Sequence, residues 1–243
     1  MVYQSKQNPL IKSFSSLKDK KGRRELNSYM VEGKKMVFEA IKYNQPITYI
    51  VKEEGFLEEI PSCNAQIITV TKQVFSYISD EATPQGILAV IKLPTAEIKK
   101  PIKNAVLLDG VSDPGNLGTI IRTACASGYS DIYAVNSADF YSPKTVRSSM
   151  SGIYFVNLYK CTYDEVFSAI DGLQLIVGDI KGENLFNFKP KKNFCIAVGN
   201  EANGLSATVK EKANFTVTIP MSEHSESLNV AVATSIMMYE LIN

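Results

Sequence analysis

Phe194-Cys-Ile-Ala-Val198, then Gly199-Asn-Glu-Ala-Asn-Gly204, then Ile219-Pro-Met221 and Glu226-Ser-Leu-Asn229, form the stretch on which the reading of this chain turns. The first five residues are uniformly apolar, the pattern of a strand buried on both faces as in parallel sheets. The loop that follows is bracketed by Gly199 and Gly204, where a missing Cβ lets the backbone adopt positive φ and approach a ligand closely. Ser227 and Asn229 stand just before the apolar run Val230 to Leu241, where either residue type suits the unpaired N–H groups of a helix start. Two polar loops, each leaving the end of an apolar strand, are how an α/β protein builds a ligand site. Each fragment alone is also ordinary turn or cap chemistry. Their occurrence in order is the stronger signal.

Working upstream, strands alternate with helices. Ala105 to Leu108 reads as a strand, Asp109 to Asn116 as a turn-rich loop, and Leu117, Ile120, Ile121, Ala124 and Cys125 as the apolar stripe of a helix. Arg122 falls about 140° from Leu117 on that helix, off the core stripe, and its side chain leans toward the helix N-terminus and the Asn116 loop. Ile132 to Val135 is the next strand, Ser142-Pro143 opens a helix, Ile153 to Leu158 is a further strand, and Thr162-x-x-Glu165 is a capping box. Leu173 to Gly178 is apolar again, followed by a polar excursion to Lys192. Such alternation predicts an α/β domain with a mainly parallel sheet covered on both faces.

The first 93 residues read as a smaller α/β module. Residues 6 to 25 predict one amphipathic helix with a cationic end at Lys18-Asp-Lys-Lys-Gly-Arg-Arg24. Strands follow at Tyr29 to Glu32, Ile47 to Val51, Ala65 to Val70 and Gly86 to Leu93, with helices from Gly33 to about Tyr43 and from Lys72 to Ile78. Residues 94–104, polar and holding two prolines, read as a linker. The expected domains are therefore 1–93 and 105–243.

Charge is unevenly distributed along these parts. The net charge of the 243 residues is +1, but residues 1 to 52 hold 11 basic and 4 acidic side chains, a balance of +7, and the remainder carries −6. That asymmetry points to a polyanion at one end, with Lys20, Lys21, Arg23 and Arg24 as candidate contacts. Cys63, Cys125, Cys161 and Cys195 form no Cys-x-x-Cys pair, and with His224 the one histidine, no metal site is expected. No segment reaches the length of a membrane span and the N-terminus lacks a signal-peptide core, so the expectation is a cytoplasmic protein with no membrane partner.

Asp109-Gly-Val-Ser-Asp-Pro-Gly-Asn-Leu-Gly-Thr-Ile-Ile-Arg-Thr-Ala124, Val198 to Leu205, and Ile219-Pro-Met221 with Glu226 to Val230 together resemble the SpoU (TrmH-like) family of RNA 2′-O-ribose methyltransferases. Tyr141 to Met150, with Arg147, looks like the segment between that family's first two motifs, and Ser5 to Lys12 with Tyr29 to Gly33 is similar to the L30e-like substrate-binding domain of ribosomal-RNA members. The resemblance implies a C-terminal trefoil-knotted methyltransferase domain of SPOUT type, preceded by a smaller L30e-like domain, and a homodimer. It implies S-adenosyl-L-methionine held by loop backbone at Gly199, Ile219 and Leu228, with Gly178, Val198, Asn200, Gly204, Met221 and Ser227 as further candidates. It implies a catalytic centre of Asn116, Arg122, Glu201, Ser227 and Asn229, and RNA contacts that include Arg122 and Arg147.

The implied activity is methyl transfer to a ribose 2′-hydroxyl, with 23S ribosomal RNA as the expected substrate; the alternatives are a transfer-RNA substrate or an inactive RNA-binding paralogue. A guanidinium with pKa above about 12 is a poor base, so Arg122 is expected to clamp a phosphate, with Glu201 and Asn229 fixing Arg122 and the ribose. Glu223 departs from the family pattern, which often has glycine there.

Overall fold

The computed structural model describes residues 1–95 and 97–242. The chain divides into two compact units, the first holding Met1–Thr95 with Tyr141–Tyr154 and the second the other described residues. The first unit contains β1 (Val2–Tyr3), α1 (Pro9–Ser16), α2 (Lys20–Glu25), β2 (Ser28–Glu32), α3 (Lys34–Lys42), β3 (Ile47–Glu53), β4 (Gln66–Val70), α4 (Lys72–Ile78) and β5 (Ile87–Lys92). Its sheet has the order β1-β4-β3-β5-β2, parallel on the β1, β4, β3 side and antiparallel around β5. Ile11, Phe14 and Leu17 pack with Val74, Phe75 and Ile78 over the inward side chains of the sheet, a buried apolar core of its own.

The single helix expected over residues 6 to 25 is two. Asn8 caps α1 through Leu10 N, and the chain breaks at Leu17 to Asp19 before α2. Gly22 explains the break: a Cβ there would lie 2.1 Å from the Ser16 carbonyl oxygen, so only glycine lets the second helix fold back on the first. Arg23 completes it, donating to Leu17 O at 2.8 Å and Lys18 O at 2.7 Å, carbonyls that the end of α1 would otherwise leave unpaired.

The second unit carries β6 (Ala105–Asp109), α5 (Pro114–Ser127) and β7 (Asp131–Val135); α6 (Pro143–Ser149), next in the chain, belongs to the first unit. Then come β8 (Asn157–Lys160), α7 (Tyr163–Ala169), β9 (Gln174–Asn184), β10 (Phe194–Gly199), α8 (Ala207–Lys212), β11 (Phe215–Thr218) and α9 (Val230–Glu240). The sheet order is β11-β9-β10-β6-β7-β8, parallel at every pairing, as the uniformly apolar strands predicted. Residues 105–108 of β6 are 0% exposed, and each fully buried aliphatic side chain contributes ~1.5–3 kcal/mol.

Three local expectations shift. Residues 150–154 form a 3-10 turn and the strand expected from Ile153 begins at Asn157, because Met150 leaves α6 with φ 49° and ψ −148°, which ends the helix without entering a strand. β9 runs on to Asn184, past the apolar run, since β11 pairs first with Ile176 and Val177 and then with Glu183 and Asn184, leaving the residues between as an excursion. The α5 helix starts at Pro114, not after Asn116, because Asp113 accepts from Asn116 N at 2.9 Å as its cap. The cap at Ser142 and the capping box at Thr162 form as their spacing predicted.

Candidate active site

β10 and β6 are neighbours, in register from Cys195 and Ala105 to Gly199 and Asp109. Both polar loops therefore leave the same carboxyl edge, at adjacent strands. Asp109 fastens them: its Oδ1 accepts from Tyr163 OH at 2.7 Å and its Oδ2 from Ser206 N at 2.7 Å. Gly199 is required for packing, since a Cβ would sit 2.1 Å from the Gly204 carbonyl carbon. The loop closes on itself through Asn200 N to Gly204 O and Gly204 N to Asn200 O, both 2.9 Å, with Gly204 at φ +67°. The Asn200 side chain is spent on this fold, donating to Gly110 O at 2.8 Å and accepting from Ala202 N and Asn203 N.

That closure aims Glu201 across to the β6 loop. Its Oε1 accepts from Asn116 Nδ2 at 3.0 Å and Asp113 N at 3.2 Å; its Oε2 accepts from Ser112 Oγ at 2.9 Å and Ser112 N at 3.2 Å. Partial burial pushes the carboxyl up, but the Asn116 amide and the backbone N–H groups of the loops outweigh it and bring the pKa down to about 2. Glu201 is thus ionised at neutral pH, an anchor and not a proton acceptor. Asn116 in turn accepts at Oδ1 from Asn229 Nδ2 at 2.9 Å. Asn229 caps α9 with its own Oδ1, which accepts from Ala231 N and Val232 N. A continuous chain Asn229–Asn116–Glu201 therefore ties together the starts of α9 and α5 and the loop after β10.

Of the expected catalytic set, the structure joins Asn116, Glu201 and Asn229. Glu201 holds Asn116 and Ser112 instead of Arg122, which is exposed and has no hydrogen-bond or ion-pair partner among the described residues. Ser227 contributes its carbonyl to Ser225 Oγ at 3.3 Å. Ser112 is the participant sequence reasoning missed; its place in the Asp109 to Asn116 loop was the available signal.

The expected cofactor residues gather by strand order. Gly178, Val198 with Gly199, and Ile219 follow β9's Val177, β10's Ala197 and β11's Thr218, and β11, β9 and β10 are consecutive in the sheet. Beyond them Met221 is half-buried and Leu228 is exposed.

The RNA-contact candidates divide. Lys20, Lys21 and Arg24 are exposed, whereas Arg23 is 4% exposed and spent on α1, which corrects its assignment as an RNA contact. Arg147 is half-exposed and 3.3 Å from Asp80. Among the described residues no cluster of three metal-ligating side chains occurs, and no helix is long and apolar enough to cross a membrane.

The polar loops and the Asn229–Asn116–Glu201 chain thus stand together at one carboxyl edge of a parallel α/β sheet, the kind of edge where α/β proteins build a ligand site. The chain belongs to the SpoU rRNA methylase family, whose profile matches residues 103–239. A second profile, the MRM3-like substrate binding domain, matches residues 8–89. The chain is 32% identical to the 23S rRNA (guanosine(2553)-2′-O)-methyltransferase RlmP of Bacillus subtilis, over 98% of both chains. Among solved structures it is similar to an AdoMet-bound rRNA methyltransferase of Sinorhizobium meliloti, with TM-score 0.87 and 30% identity over 98% of this chain and 97% of that one. An RNA 2′-O ribose methyltransferase matches with TM-score 0.85 and 26% identity over 99% and 97%.

Proposed function

We propose that this protein transfers a methyl group from S-adenosylmethionine to a ribose 2′-hydroxyl of large-subunit ribosomal RNA. The observation that carries the reading is the Asn229–Asn116–Glu201 chain, built at the same sheet edge as the Gly178, Gly199 and Ile219 backbone. The relatives' substrates and the substrate-binding match support the ribosomal target.

S-adenosylmethionine supplies a methyl group already activated by its sulfonium. What remains for the protein is alignment of the hydroxyl and disposal of one proton; orientation alone contributes ~7–11 kcal/mol in favourable cases. Gly178, Gly199, Ile219, Met221 and Leu228 would hold the cofactor. Glu201 keeps Asn116 and the Ser112 loop in place. Arg122, free to reach outward, clamps a phosphate beside the target ribose as a fork of donors, and the proton leaves to that phosphate or to water.

Two assembly features belong to the same proposal. The protein is a homodimer, supported by α9, a mostly apolar helix that leaves Val232 and Tyr239 each 48% exposed. The segment after Gly199 is threaded as a trefoil knot, supported by its course from central β10 out to edge strand β11 and back as α9 against β9, β10 and α5. The enzyme works in the cytoplasm, where ribosomal RNA is its substrate.

The test is transfer of radiolabelled methyl from S-adenosylmethionine to unmodified total RNA, separated by size, with Arg122→Ala as control. Label in the large ribosomal RNA, resistant to alkaline cleavage and absent with the variant, is the expected result. Label confined to transfer RNA, or none in any fraction, would overturn it.

A further inference from the structure

The first unit contains a cavity that the methyl-transfer chemistry does not use. Residues 141–154, which fall inside the methylase-family match, pack against β2 and α3 of the substrate-binding unit. Between them lies a cavity of about 140 Å³ with Met30, Met36 and Met150 among its walls and Glu32, Glu81, Gln85, Lys35 and Arg147 as polar lining. We propose that it receives one unpaired guanine of the substrate RNA, read along its Watson–Crick edge. This inference rests on the RNA methyltransferase reading and names where that RNA is recognised.

The walls select a flat aromatic ring. Thioethers are soft, adaptable surfaces that make favourable contacts with aromatic rings, and a void of roughly 150 Å³ is enough to take benzene. Met150 is held at φ 49° and ψ −148°, a backbone region left almost entirely to glycine; strain of this kind clusters at ligand sites.

The polar groups select the base. Glu32 accepts from Ser79 Oγ and from Asp80 N at 2.8 Å, which fixes the carboxylate and still leaves acceptor positions on both oxygens. Burial pushes its pKa up against those hydrogen bonds, so two further N–H donors would relieve a poorly solvated charge. Gln85 lies over Gly33, where no Cβ intervenes, and its Oε1 accepts from Lys34 N at 3.0 Å. Its amide nitrogen has no partner among the described residues and is left to donate. Two adjacent acceptors beside a donor complement guanine's N1–H and N2–H beside its O6. Adenine and cytosine set one amino group beside a ring acceptor, and uracil has a single N–H between two carbonyls. Arg147 and Lys35 at the cavity would face the backbone phosphates.

The experiment measures binding of labelled short oligouridylates carrying one central guanosine, inosine, adenosine or uridine, with Glu32→Gln and the exposed Gln85→Ala alongside wild type. Guanosine should bind about tenfold tighter than uridine or adenosine, the scale of a bidentate base contact. Inosine, lacking the N2 amino group, should fall between. Each variant should lose the preference while keeping wild-type affinity for the all-uridine strand and for S-adenosylmethionine. Equal affinities in wild type, or a guanosine preference that survives both substitutions, would overturn the pocket. Methyl transfer to total RNA, run in parallel, separates the two readings: transfer without base preference sinks the pocket alone, while neither transfer nor RNA binding sinks both.

Discussion

Asn116 Nδ2 donates to Glu201 Oε1 at 3.0 Å across 85 residues of sequence, and that contact organises the active-site edge. Because the folded-state pKa of Glu201 is about 2, below the ordinary glutamate value near 4.3, its hydrogen bonds stabilise the fold above roughly pH 4. That contribution fades as pH falls toward 2. Thermal midpoints of wild type and Glu201→Gln should therefore differ at pH 7 and converge by about pH 2. A gap of constant size across the range would mean the carboxylate charge is not what the loops hold.

Asn229 has two separable duties, capping α9 and donating to Asn116. Asn229→Ala removes both and should cost about 1 kcal/mol of stability, as lost caps do. Asn229→Asp keeps the cap and loses the donor, so stability should hold while methyl transfer falls. Urea midpoints and initial rates measured on both variants check this; equal stability losses would show that the link to Asn116 matters to the fold as much as the cap does.

Within the basic N-terminal segment, Arg23 should behave unlike its neighbours. Arg23→Ala leaves the Leu17 and Lys18 carbonyls without its guanidinium and should destabilise by roughly 1–3 kcal/mol. Lys20→Ala, Lys21→Ala and Arg24→Ala combined should leave stability intact and flatten the salt dependence of RNA binding, since fewer counterions are released. An unchanged salt slope would place the phosphate contacts elsewhere.

Two glycines at the cofactor edge should differ sharply on substitution. At Gly199 a Cβ meets the Gly204 and Leu205 backbone at 2.1 and 2.2 Å, which no rotamer change relieves, whereas at Gly178 it meets the Met237 sulfur at 2.8 Å. Gly199→Ala should lose S-adenosylmethionine binding in calorimetry, while Gly178→Ala should retain most of it as Met237 turns aside. Retained binding in Gly199→Ala would show the loop can open without loss of the site.

The apolar runs at 105–108 and 194–198, the glycine-bracketed loop and the Ser/Thr/Asn caps were legible from sequence because they are local: side-chain period, β-branching and capping act within a few residues. They fixed a parallel α/β domain and Asn229 at a helix start, while Asn116 and Glu201 were singled out by the resemblance of the motifs that hold them. Only the tertiary structure decided which atoms meet. It gave Glu201 to Asn116 and Ser112 instead of Arg122, spent Arg23 on the end of α1, and carried residues 141–154 onto the first unit to line a cavity with Glu32 and Gln85. Those outcomes depend on strand order and on long-range hydrogen bonds between segments far apart in the chain, which no local pattern encodes.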